Sequence, residues 1–190
     1  MKRAAQANPS CSVVLFSLTL IVFHLCLGGY LEGAEGIDGK GRVYDALAVA
    51  SFLPPQGWVR WNFWGITTFS PTTDHEPRLT FAVNDVVSQD RPNIETVMKD
   101  YVRTFSTENY TLITQEYLYM GGYPGVRLLA QGTEKNRLFN RDYIWIQEYR
   151  TAHHKIILIF RSEEGSFETY RKAVLESFRS LVITGPAPDE

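Results

Sequence analysis

The chain has 190 residues, 44% of them apolar and 21% charged, with a formal net charge of −2, the balance of a globular protein rather than a disordered one. Acidic and basic residues are interspersed, which argues against a nucleic-acid partner, since that calls for a basic patch or stripe. The length is that of one domain, and the roughly 150 residues left after a hydrophobic start can bury a core without staples.

Lys2 and Arg3 precede an apolar run from Val13 to Leu27 (VVLFSLTLIVFHLCL), followed by Gly28 and Gly29. A charged start, an apolar stretch of about 15 residues and small residues after it describe a secretory signal peptide. A spanning helix needs about 20 apolar residues, with a lower limit near 17, so an uncleaved membrane anchor is the alternative. Residues 1–29 are therefore read as signal or anchor. The protein is expected to be exported, periplasmic or secreted, touching a membrane only through residues 13–29 if these are retained. Cys11 and Cys26 lie in or beside this segment. Its removal would leave a cysteine-free domain, without disulfides, thiol nucleophiles or Cys-ligated metals. Leu25 stands directly before Cys26, where bacterial lipoprotein signals need a small residue.

Residues 30–42 are Gly-rich with few apolar anchors and read as a flexible linker. A single domain is expected over 43–184. Ala48 to Phe52 is β-compatible and ends at Pro54-Pro55-Gln56-Gly57, a turn. Trp58 to Phe69, rich in Trp, Phe, Ile and Thr, suits one strand, and Leu79 to Val87 another. Ile94, Val97, Met98, Tyr101, Val102 and Phe105 make one apolar helical stripe with Asn93 placed to cap it. Strands are expected at Tyr110–Tyr119, Val126–Gly132, Leu138–Arg150 and Lys155–Arg161. A last helix from about Ser166, its cap, to Leu181 carries Phe167, Tyr170, Val174, Phe178 and Leu181 inward. Residues 185–190 form a polar tail. Lys155 to Phe160 (KIILIF) is apolar on both faces, which places it at the centre of a sheet covered on both sides. The fold class is α+β, a mainly antiparallel sheet flanked by helices in an α/β/α sandwich.

Several of these residues recur together elsewhere. Leu53-Pro54-Pro55-Gln56-Gly57-Trp58 closes a strand, and long strands flank an amphipathic helix. Gly122-Tyr123-Pro124-Gly125 precedes a strand, and the final helix carries Phe167-x-x-Tyr170 and Leu175-Glu176-Ser177-Phe178-Arg179. Over residues 45 to 183 this order resembles the Mog1/PsbP-like superfamily, including PsbP-like and DcrB-like exported proteins. The resemblance implies an α/β/α sandwich and non-enzymatic accessory or binding roles, and it supplies no catalytic residues.

Motif by motif, the chain offers little chemistry. It has no G-x-S-x-G, P-loop, G-x-G-x-x-G or H-E-x-x-H. Asp74-His75-Glu76 and the turn pair His153-His154 are read as solvated loops rather than metal ligands. Glu163-Glu164 is read as a solvated pair beside a helix start. No catalytic residue, metal or cofactor is assigned. The strongest signal is aromatic. WVRWNFW holds Trp58, Trp61 and Trp64, and a strand cannot turn all three to one side. Trp58, Arg60, Trp61 and Trp64, extended by Arg141 and Tyr143, are the candidate surface for a protein or small-ligand partner. An enzyme with a dispersed site is the alternative.

Overall fold

The computed structural model describes residues 36–45, 47–63, 66–73, 76–86, 93–132 and 142–185. The main sheet has seven antiparallel strands in the order β4 (Val59–Phe63), β5 (Ile66–Ser70), β6 (Arg78–Asp85), β10 (His154–Ser162), β9 (Tyr143–Arg150), β8 (Tyr123–Gly132) and β7 (Tyr110–Met120). A small sheet joins β1 (Gly36–Ile37), β2 (Val43–Tyr44), β3 (Ala50–Phe52) and β11 (Val182–Ile183). Two helices, α1 (Ile94–Thr107) and α2 (Glu164–Arg179), complete the described fold. It is α+β and mainly antiparallel.

The apolar run of β10 falls at the middle of the main sheet, and Ile156 to Phe160 are all buried. Alternation along β10 sends Ile156, Leu158 and Phe160 to one face, where they meet Phe167, Val174 and Phe178 of α2 and Val43 and Phe52 of the small sheet. Ile157 and Ile159 point the other way, into a second core with Val97, Met98 and Phe105 of α1. Each helix is amphipathic because each covers one of these faces.

Local chemistry sets the boundaries. The Asn93 side chain accepts from the Thr96 N–H at 2.8 Å and starts α1. Gly121 and Gly122 have φ of +59° and +95°, the backbone that a two-residue hairpin between β7 and β8 demands. Four expectations are corrected. The segment 58–69 holds two antiparallel strands rather than one, β4 and β5, with Phe63 paired to Ile66, and Trp64 and Gly65 between them lie outside the described residues. Strand-compatible composition cannot show where one strand gives way to the next when the only local signal is one glycine. Helix α2 begins at Glu164 rather than Ser166, because Asp142 Oδ2, from the bend just before β9, accepts the Glu164 N–H at 2.9 Å and supplies the cap from far along the chain. Residues 36–42 are not a free linker. Asp38 Oδ1 accepts the N–H groups of Lys40 and Arg42 at 2.8 and 2.9 Å, and Arg42 Nη1 donates to the Ser51 and Ser180 carbonyls. Gly185 is tied to the domain by the Tyr123 hydroxyl, which donates to its carbonyl.

Beneath α1 the sheet carries a buried carboxylate. Glu148 accepts from the Tyr101 hydroxyl at 2.5 Å and from Arg150 Nε at 2.7 Å. Burial and the nearby Glu148 charge hold the Tyr101 phenol well above its usual range. Folded Tyr101 therefore keeps its proton where the unfolded chain ionises. Its contribution is complete below the free-tyrosine value of 10.0 and is lost as pH rises above it. In alkaline denaturation, Tyr101→Phe is expected to flatten this fall and, at neutral pH, to cost about 1.5–3 kcal/mol, the scale of a hydrogen bond to a charged group. An unchanged alkaline slope would contradict it.

Two packing predictions follow from the other face. Phe178 is 1% exposed and lies 5.2 Å from Trp145 between ring centroids. Phe178→Ala should lower stability by about 3–5 kcal/mol. A Cβ on Gly125 would sit 2.5 Å from Tyr149 Cδ1 and 2.6 Å from the Glu148 carbonyl oxygen. Gly125→Ala should therefore cost about 1–3 kcal/mol through forced displacement of β9. Urea titrations showing either change to be neutral would refute the packing described.

Candidate functional site

The aromatic residues gather at the end of the main sheet nearest the start of α2. Gly57, at φ +81°, occupies the third position of a turn over Pro55–Trp58 that the Trp58 N–H closes onto the Pro55 carbonyl at 3.2 Å. This is the type II pattern, which needs positive φ at that position. The turn lays the Trp58 indole over the α2-bearing face, 6.2 Å from the Phe160 ring and 5.4 Å, edge-on, from Tyr170. The chain of rings continues from Phe160 to Phe167 at 6.1 Å and from Phe167 to Tyr143, stacked at 4.4 Å. Arg171 stands 5.9 Å above the Phe167 ring, within cation–π range.

Trp58 and Tyr143 are half-buried, so the ends of this chain of rings reach the surface while Phe160 and Phe167 fill its interior. Burial, and then the carboxylates of Glu164, Glu168 and Asp142, raise the Tyr143 phenol above its usual range. Tyr143 thus stays a neutral donor at physiological pH. Ser162, opposite Tyr143 in the ladder, is fully buried and its hydroxyl has no hydrogen-bond partner.

The predicted surface is divided between the two faces. Arg60, paired with Phe69, lies on the same face as Trp58 and is half-buried. Trp61, paired with Thr68, lies on the opposite face, where its indole N–H donates to Ser70 Oγ at 2.9 Å. Trp64 and Arg141 lie outside the described residues. Tyr170, Phe167 and Arg171 join the site from α2. The helical stripe marked Phe167 and Tyr170 as core, and only a hydroxyl-bearing ring beside the helix start hinted that Tyr170 sits at its margin.

Elsewhere, the turn residue His153 is exposed, whereas His154 lies 3.3 Å from Asp85 through Nε2. Glu76 pairs with Arg78 at 3.7 Å, while Asp74 and His75 lie outside the described residues. A second aromatic surface escaped the strand periodicity. Tyr117 and Tyr119 project from the same side of β7, 58% and 73% exposed. Strand β7 ends the main sheet, with β8 as its one partner among the described residues.

No protein-family model matches the sequence, and no curated protein matches it. Solved structures do resemble it. The solution structure of cyanobacterial PsbP (CyanoP) from Synechocystis sp. PCC 6803 superposes with a TM-score of 0.56 at 16% identity, over 79% of this chain and 98% of that one. The Saccharomyces cerevisiae Ran-binding protein Mog1p aligns over 75% of this chain and 94% of its own, with a TM-score of 0.47 and 10% identity. A Pseudomonas aeruginosa protein of unknown function, PA94, aligns over 70% and 99%, with a TM-score of 0.46 and 11% identity. The fold is PsbP-like. At these identities the likeness concerns the fold alone.

Proposed function

We propose that this chain is an exported, non-catalytic binding protein that engages a protein partner through the Trp58–Tyr143 end of its sheet. The observation that carries the reading is the placement of Trp58. It is held by its own turn at the margin of the core rather than inside it, with Arg60 and Arg171 on the same face. A rigid ring beside a guanidinium buries much area at little entropic cost, and Trp, Tyr and Arg are the residues that anchor interfaces. The arginines favour a partner with carboxylates near its own apolar anchor. Export rests on Lys2, Arg3 and the apolar run to Leu27. No helix among the described residues is long and apolar enough to cross a membrane, and the apolar run itself lies outside them.

The test is capture of a partner from the native envelope fraction by the tagged protein. Wild type and Trp61→Phe are expected to capture the same protein, and Trp58→Ala and Arg60→Ala to lose at least about tenfold of it, the scale of an interface anchor. Equal capture by all four would remove the site from this surface. Recovery of the full-length chain from the cytosol of fractionated cells would remove the export.

A second reading is favoured by Tyr117 and Tyr119. A long edge strand with two exposed rings is the shape that strand addition uses. Under that reading Tyr119→Ser abolishes capture and Trp58→Ala spares it.

A further inference from the structure

The opposite end of the central strand holds a different chemistry, on the face that carries α1. In the ladder, Lys155 of β10 stands between Arg150 of β9 and Asn84 of β6. Alternation puts all three side chains on the face of Ile157 and Glu148. The Glu148 carboxylate is already occupied: Arg150 donates to Oε1 through Nε at 2.7 Å and Nη2 at 2.6 Å, and Tyr101 donates to Oε2. Lys155 makes no hydrogen bond or ion pair among the described residues. Asn84 is 5% exposed, and both its Oδ1 and its Nδ2 lack a partner. Buried amides normally have their hydrogen bonds made, so one with both ends unmade, next to an ammonium unpaired among the described residues, is an exception that needs an explanation.

We propose that Lys155 and Asn84, with Arg150 behind them, form a binding site for a phosphate-type oxyanion that retains a protonated oxygen. Among the described residues two cations face one carboxylate here, so these groups have a positive charge to spare. The ammonium and the amide Nδ2 are donors and call for acceptor oxygens. The amide Oδ1 is an acceptor and calls for a donor from the same ligand. Rotating the amide by a half-turn exchanges its two atoms and leaves the requirement unchanged. Phosphate keeps a P–OH through neutral pH and meets all three demands, whereas sulfate, of the same size, has no proton to give. Carboxylates fail for the same reason. Burial, with Arg150 adding to it and Glu148 opposing, lowers the Lys155 pKa, and an anion alongside offsets that fall.

Isothermal titration of the folded full chain with inorganic phosphate, sulfate and methyl phosphate tests this. Phosphate should bind at least about tenfold more tightly than sulfate, the discrimination of one charge-assisted site with a buried acceptor. Lys155→Met and Asn84→Leu should each weaken phosphate binding by about tenfold or more, while Lys99→Met on the exposed side of α1 leaves it unchanged. Methyl phosphate, whose second ionisation at about pH 6 leaves it without a P–OH at about pH 7.5, should bind more weakly than phosphate, and equal binding would show that no donor oxygen is needed and overturn the proposal. Near-UV circular dichroism confirms that each variant is folded. Should one fail to fold, the phosphate–sulfate comparison on wild type still decides. Equal affinity for the two anions, no binding of phosphate to the folded wild type at about 10 mM, or full binding by Lys155→Met overturns the proposal.

Discussion

The structure depends on one constraint, a central strand that is apolar on both sides. β10 cannot leave either face wet, because Ile156, Leu158 and Phe160 on one side and Ile157 and Ile159 on the other must all be removed from water. One face is closed by α2 and the small sheet, the other by α1. Among the described residues the two cores are separate clusters on opposite faces of the sheet, and each helix has the amphipathic stripe its own face demands.

The same constraint decides where polar chemistry can reside. With the middle of β10 given to packing, functional groups are confined to its two ends. At the first end Lys155 neighbours Arg150 and Asn84. At the last, Ser162 faces Tyr143 near the Phe160 ring against which Trp58 packs. Between them a deep polar contact from the sheet on the α2 side is structural. Gln147 donates to the Phe178 carbonyl at 3.0 Å and accepts from Arg127 at 2.9 and 2.6 Å, closing the C-terminal end of α2 over the sheet.

Much of the fold was legible because its signals are periodic. The stripe from Ile94 to Phe105 with Asn93 before it gave the start and the buried face of α1, and the unbroken apolar run of β10 gave a covered central strand. What escaped was settled by partners far away in the chain. Asp142 caps α2, so the helix starts before the serine that looked like its cap. Asp38 and Arg42 fasten a Gly-rich stretch whose composition reads as a linker. The division of the tryptophans was half visible: alternation separates Trp58 from Trp61, but the change of strand after Phe63 was hidden in strand-forming residues. The Lys155–Asn84 row could not be read at all. Each residue sits at the polar margin of an apolar strand, and only the antiparallel register brings them side by side.

The interface claim is tested most directly by position-specific photo-crosslinking in cells. A photoreactive phenylalanine analogue would be placed in turn at Arg60 and Arg171, beside Trp58 and Phe167, and at Tyr119 on the sheet edge. The account predicts one common crosslinked protein from positions 60 and 171 and none from 119. A partner trapped from 119 alone would contradict it and move the interface to the edge strand.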